Sequence, residues 1–283
     1  MTLRKKEAVT GILLASPFLI GFLTFYLVPL LISIWYTVTL GGAFVGIHNY
    51  IAVFQSEAFR LASWNTYRFI LAAVPLIMAV SLLLSLLVFH IPKGGSFFRS
   101  IFLFPLILPI ASTVMVFQVF LADGGVLNSI LAGLHIAPRE WLESDVFGVL
   151  VFLYIWKNTG YNIILFLAGL QAIPREFYEV ANLEGSSPLN NFRYITAPLL
   201  VPDIFFVFVI SIMNSFKSFR EAYLLNGDHP DISIYMLQHF MNNNFSNLNY
   251  QRLSVAAFLV FFVIFFLVFF LFVLKRRMGE YEL

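Results

Sequence analysis

Between residues 253 and 274 the chain carries no charged side chain and is built mostly of Phe, Val and Leu. A helix that crosses a hydrocarbon core of about 30 Å needs roughly 20 mostly apolar residues, and helical pairing satisfies its backbone groups within the segment itself. Stretches at 11–36, 69–89, 101–121, 147–170 and 195–216 meet the same requirement. None alternates apolar and polar residues, as the strands of a membrane barrel would. Hydrophobic residues make up 60% of the 283 and charged residues 11%, against about 25% charged in a soluble domain. Too little polar surface remains to wrap a soluble fold. The sequence predicts an all-α membrane protein with six transmembrane helices and the lipid bilayer as its solvent.

Composition excludes several function classes. A net charge of +2 without a long basic run leaves no footprint for nucleic acid. The absence of cysteine removes disulfides, thiolate metal sites and cysteine nucleophiles. His48, His90, His135, His229 and His239 are scattered without metal-ligand spacing, so no metal site is expected. No Gly-rich phosphate loop followed by Lys-Ser or Lys-Thr occurs, and the chain does not bind ATP by that route. No nucleophile, base or metal cluster marks a catalytic centre, and no catalysis is expected. Met1-Thr2-Leu3-Arg4-Lys5-Lys6 resembles the charged start of a signal peptide. The apolar run after it is too long and lacks a small-residue cleavage site, so it reads as a retained first span that doubles as the insertion signal.

Orientation follows from the basic residues. With the amino terminus inside, Arg4, Lys5, Lys6, Lys93, Arg99, Arg175, Arg193, Lys275, Arg276 and Arg277 crowd the short cytoplasmic segments. Arg60, Arg68, Arg139, Lys217, Arg220 and Arg252 are spread over longer external ones. Both termini are therefore expected in the cytoplasm, with external loops at about 37–67, 122–146 and 218–252. Prolines interrupt the spans at Pro17, Pro29, Pro105, Pro109, Pro198 and Pro202. Each removes a backbone donor, which a membrane tolerates where neighbours or a cavity satisfy the freed carbonyl.

The segment at about 172–197, between the fourth and fifth spans, has a pattern of its own. Pro174 suits the first turn of a short helix, where its missing N–H costs nothing. Phe177, Val180 and Ala181 then share one face, with Glu176 and Glu179 elsewhere. Gly185 is placed to end that helix in a left-handed conformation. Ser187-Pro188 reads as an N-cap followed by proline at the first helical position. The second helix carries Leu189, Phe192 and Ile195, and Pro198 marks its junction with the fifth span. A helix–turn–helix results, with an apolar face it cannot bury alone.

The order Glu179-Val180-Ala181, Glu184-Gly185, Ile195 and Pro198, approached through Leu170-Gln171-Ala172-Ile173-Pro174, resembles the EAA signature of ABC importer permeases. Valine stands where that signature has its first alanine. The similarity is to the carbohydrate-uptake branch and, within it, to the maltose-type first permease subunit without its extra leading helices. Phe104-Pro105 with Pro109, Gly125-Val126-Leu127-Asn128, Trp156 with Thr159-Gly160-Tyr161, and Ser215-Phe216 with Phe219 extend it over most of the chain. Where the family often has Thr-Gly-Gly-Gly-Pro, this chain has Leu225-Asn226-Gly227-Asp228-His229-Pro230. The resemblance implies a single transmembrane permease domain over 1–283, in the cell membrane of a prokaryote. Its implied partners are a second, related permease, a dimer of ATPase subunits and an extracytoplasmic solute-binding protein. ATP and Mg would be bound by the ATPase, with no cofactor in this chain. It implies an ATPase-coupling role for Glu179, Ala181, Glu184, Gly185, Pro188 and Pro198.

Polar residues inside spans are expensive and face a cavity or the bundle interior. The candidates for substrate contact are Gln118 in the third span, Trp156, Lys157, Asn158 and Tyr161 in the fourth, and Asn214, Lys217 and Ser218 in the fifth. Rings beside amides and hydroxyls suit a sugar, whose C–H faces stack while its hydroxyls take directed hydrogen bonds. Lys157 and Lys217 suit an anionic substrate, such as a uronate-bearing oligosaccharide or a phosphorylated polyol. Snorkelling of Lys217, or pairing of Lys157 with a partner's carboxylate, is the competing reading. Asp203 reads as structural or as part of an inner gate. A stand-alone secondary transporter would be expected to show internal repeats or coupled carboxylates within the membrane.

Overall fold

The computed structural model describes residues 3–91 and 95–279, with side chains placed over 10–91 and 97–273. Lys93, the two leading residues, and the side chains of Arg4, Lys5, Lys6, Lys275, Arg276 and Arg277 lie outside the described set, so the orientation reading is not examined at those positions. Six helical stretches among the described residues are long and apolar enough to cross a membrane: Thr10–Val38, Glu57–Phe89, Ile110–Gly133, Val146–Ala172, Val201–Asn226 and Tyr250–Val273. The six-helix expectation holds.

The chain forms two compact units, Met1–Arg60 with Phe240–Phe262, and Leu61–His239 with Val263–Leu283. In the first unit, α1 (Leu3–Phe22) passes through one wide turn, Leu23–Leu27, into α2 (Val28–Val38). In that turn the Val28 N–H reaches back five residues to the Leu23 carbonyl. Pro29 follows at once and has no N–H for the helix ladder, and a proline and a wide turn are both places at which a helix bends. A two-residue hairpin then pairs β1 (Thr39–Leu40) with β2 (Ala43–Phe44) across Gly41-Gly42, both at positive φ, the geometry of a mirror-image hairpin turn. In α3 (His48–Gln55), the buried Asn49 donates to the Thr37 and Thr39 carbonyls at 3.1 and 2.9 Å and closes the end of α2.

The second unit is built around α9 (Val146–Ala172), with α4 (Glu57–Phe89) contributing from Leu61 onward. Phe69, Ala73 and Ile77 of α4 pack with Val146, Leu150 and Tyr154 of α9 in one core, joined by Ala222, Ile234 and Met236. A second core gathers Ile163, Phe166 and Leu170 of α9 with Leu200 and Val207. The third predicted helix is not continuous. It breaks into α5 (Gly95–Ile107) and α6 (Ile110–Leu121). Pro109 stands four residues after Pro105, where its ring meets the carbonyl that an unbroken helix would offer it. The backbone at Pro109 turns out to ψ 132, and the Thr113 N–H restarts the ladder on the Pro109 carbonyl at 3.0 Å. α5 lies so close to α9 that a Cβ added at Gly160 would overlap the Phe102 carbonyl oxygen.

The segment expected as an external loop from 122 carries α7 (Val126–Gly133) and α8 (Trp141–Ser144). They are tied by the buried Asn128, which donates to the Arg139 carbonyl at 2.9 Å and accepts from the Trp141 indole at 3.0 Å. The fifth span begins later than expected. α10 (Arg175–Leu183), α11 (Pro188–Asn191), a second wide turn Phe192–Thr196 and α12 (Ala197–Leu199) precede α13 (Val201–Ser215). A tight turn at Phe216–Ser218 leads into α14 (Phe219–Asn226). α15 (Leu237–Ser246) and α16 (Tyr250–Gly279) complete the chain. On α16, Phe261, Phe265, Phe266, Phe269 and Phe270 are all exposed, as lipid-facing rings would be.

Candidate functional site

Two places in the second unit hold the residues that the sequence singles out. The first is the helix–turn–helix after α9. Pro174 takes the N-cap of α10, one position ahead of the first turn that was expected for it. The Ser186 N–H reaches the Ala181 carbonyl at 2.9 Å and the Gly185 N–H the Asn182 carbonyl at 3.1 Å. With Gly185 at φ +77, this is the paired closure that glycine favours beyond a helix end. The Ser187 hydroxyl accepts from the Asn190 N–H, and Pro188 opens α11. Asn191 donates to the Asn182 side chain at 3.0 Å, and Tyr178 and Thr196 share a hydroxyl bond at 2.9 Å, so both arms are braced. Glu179 and Glu184 are exposed, Ala181 is half-buried, and Phe177, Val180, Leu183 and Leu189 present apolar surface to the outside, Leu183 with 89% of its surface exposed. A cleft of about 770 Å³ beside them is lined by Phe89, His90, Tyr178, Glu179, Leu189 and Phe192, among others.

The second wide turn explains how this loop joins the fifth span. The Ala197 N–H bonds back to the Phe192 carbonyl, one residue short of Pro198. As before Pro29, the wide turn stands directly ahead of a residue that has no N–H for the ladder.

The second place is a polar cavity of about 390 Å³ among α5, α9 and the α13–α14 junction. Lys157, Asn158, Tyr161, Asn214, Lys217 and Ser218 all line it, together with Leu106, Ile210, Arg220 and Glu221. Lys157 Nζ donates to Glu221 Oε1 at 2.9 Å, with the lysine side chain 22% exposed and the glutamate 6%. Lys157 thus finds its carboxylate within its own chain. Lys217 Nζ lies 3.3 Å from Asn214 Oδ1 and is exposed, as is Arg220. Three cationic side chains against one carboxylate leave the cavity a surplus of two positive charges. Beneath it, Asn162 donates to the Ser211 hydroxyl at 2.9 Å and the Tyr154 hydroxyl to the Ser211 carbonyl at 2.6 Å, fixing α9 against α13.

Two expected contributors do not line this cavity. Trp156 sits edge-on against Phe117 at 5.1 Å and lines a nearly wholly apolar hollow of about 450 Å³ with Phe152 and Thr113. It precedes Lys157 by one residue, which on a helix turns it by about 100° to another face. Gln118 spends its amide on the Leu224 and Leu225 carbonyls at 3.3 and 3.2 Å, fastening α6 to the end of α14. Glu221 and Arg220 are the charged cavity residues that spacing did not single out as substrate contacts. The signal for Glu221 was present: a lysine at mid-span calls for an acid within reach.

Six membrane-length helices, with a polar cavity and a braced helix–turn–helix between the fourth and fifth of them in the second unit, mark a multi-pass membrane transport component. Residues 77–279 match the family described as binding-protein-dependent transport system inner membrane component, and the chain belongs to that family. It is 33% identical over 228 residues to the arabinooligosaccharides transport system permease protein AraP of Bacillus subtilis (strain 168), covering 75% of this chain and 71% of that one. It is 30% identical over 237 residues to the trehalose/maltose transport system permease protein MalF of Thermococcus litoralis, covering 81% and 80%. The fold matches that of a chain in a bacterial ABC transporter involved in the import of the acidic polysaccharide alginate, with a TM-score of 0.84 and 22% identity over 97% of both chains. The membrane location and the family read from the loop are thereby borne out.

Proposed function

We propose that this chain is the first membrane subunit of an ATP-driven importer that passes a sugar or oligosaccharide from an extracytoplasmic solute-binding protein into the cytoplasm. The observation that carries this reading is the braced helix–turn–helix of α10 and α11, which leaves Phe177, Val180, Leu183 and Leu189 uncovered beside a cleft. With both termini cytoplasmic, that face is turned to the cytoplasm, and a dimer of ATPase subunits covers it and its counterpart on a second, related permease. Glu179 then pairs with a basic group of the ATPase, and the Gly185 turn holds the two arms at a set angle. ATP and Mg reside in the ATPase, and the whole chain acts as one permease domain. Closure of the ATPase dimer rocks the loop helices and switches the polar cavity from inward-facing to outward-facing. The sugar reading draws on the aromatic, amide and hydroxyl lining of the cavity and on the names of the two relatives.

A second reading, that the solute is anionic, such as a uronate-bearing sugar or a phosphorylated polyol, is favoured by the surplus positive charge of the cavity. The test is ATP hydrolysis by the reconstituted complex with its binding protein, offered neutral and uronate-containing oligosaccharides in turn. Stimulation by one class is expected. Hydrolysis that responds to neither removes the sugar assignment and leaves a permease for another solute.

A further inference from the structure

Lys157 and Glu221 stand on separate helices, α9 and α14, and their ion pair divides the charge of the polar cavity unevenly. The carboxylate is the buried member, and its second oxygen, Oε2, has no hydrogen-bond partner among the described residues. Its charge is therefore not drawn off by other donors and acts on Lys157. The ammonium is the more accessible member, and with one N–H on Glu221 it keeps further donors for the cavity. Lys217 and Arg220, three residues apart on the exposed side, stand differently. The Lys217 ammonium leans on the neutral Asn214 amide, which takes a hydrogen bond and cancels no charge.

We propose that Glu221 is a specificity-determining residue: by cancelling the charge of Lys157 it makes that lysine a donor to a sugar hydroxyl, and it leaves the reading of an acidic group to Lys217 and Arg220. The proposal rests on the sugar reading above and narrows it. The fitting substrate is an oligosaccharide that lays a neutral ring against α9 and a carboxylate against the α13–α14 junction. Glu221 acts through Lys157 without touching the sugar, so its removal changes the choice between substrates more than the binding of any one.

The test measures binding of maltotriose and of an alginate trisaccharide to the detergent-purified permease assembly by saturation-transfer NMR, and reads the ratio of the two affinities. In E221Q the uncancelled Lys157 charge is expected to raise the preference for the uronate by about tenfold or more. The double variant K217M/R220M changes only exposed side chains and is expected to lower that preference by about tenfold. If E221Q weakens both sugars alike with the ratio unchanged, Glu221 is merely structural and the proposal is overturned. Should E221Q fail to assemble, K157M/E221M removes both charges and leaves none buried and unpaired. Its ratio is expected to match the wild type, with maltotriose weakened, and a tenfold fall would show Lys157 reading the acid and overturn the proposal. A wild-type assembly that binds neither trisaccharide overturns the sugar reading and this inference with it.

Discussion

At Gly160 the backbone of α5 lies hard against α9, and replacing the glycine by alanine has a cost that can be worked through. The new Cβ would overlap the Phe102 carbonyl oxygen. A backbone oxygen cannot rotate away as a side chain would, so α5 has to retreat and its packing on α9 loosens. Overpacking of this kind costs about 1–3 kcal/mol, and the rigid obstacle puts the change at the upper end. Alanine returns about 1 kcal/mol of helix propensity over glycine. The net loss is then about 2 kcal/mol, set against a helix contact that depends on close approach at a small residue. Gly21 in α1 supplies the control, because a Cβ there meets nothing within 4 Å in this chain. Thermal unfolding of the purified assembly is the assay. Gly160→Ala is expected to melt below the wild type, and Gly21→Ala at or above it. If Gly160→Ala melts with the wild type, the close packing of α5 on α9 is refuted.

Two further outcomes are expected. A Cβ at Gly185 also meets nothing, so Gly185→Ala acts through the left-handed backbone alone, at a cost of about 1–2 kcal/mol; stimulated ATP hydrolysis should fall severalfold with insertion intact, and unchanged hydrolysis would show that the turn transmits nothing. Burial pushes the imidazole of His239 down to about 4 from its ordinary 6.5, with the nearby Asp228 charge opposing, while its Nδ1 accepts the Met236 N–H at 3.1 Å. The unfolded chain takes up that proton first, so the contribution of His239 is full above about pH 6.5 and is lost as pH falls toward 4. The melting temperature should drop over that window, and His239→Gln should flatten the drop; an equal drop in the variant would assign it to other groups.

Hydropathy exposed the six spans because lipid imposes one rule on every crossing helix, and Gly185, Ser187 and Pro188 exposed the turn because each has a backbone preference of its own. The break between α5 and α6 was carried by Pro105 and Pro109, but a proline pair four apart announces a kink or a stop equally, and only the Pro109 backbone, turned out of the helix at ψ 132, shows which. The cavity was legible through its polar residues in apolar surroundings. Which way each pointed was not. Trp156 and Gln118 carry the same local signal as Tyr161 and Asn214, and they are separated by facing a different helix. The partner of Lys157 lies 64 residues along the chain, and no periodicity reaches across that distance.

The wide turns at Leu23–Leu27 and Phe192–Thr196 each hold one residue more than an ordinary α-turn. In effect each is an insertion already absorbed by the helix. Deleting one residue inside Leu23–Leu27 would restore an α-turn and leave every side chain of α2 on its present face. Deleting one within Val28–Val38 would swing everything beyond the cut by about 100°. Length variation is therefore cheap at these two points and costly a few residues away, so an alignment that places its single-residue gaps just ahead of Pro29 or Pro198 respects the geometry of the chain.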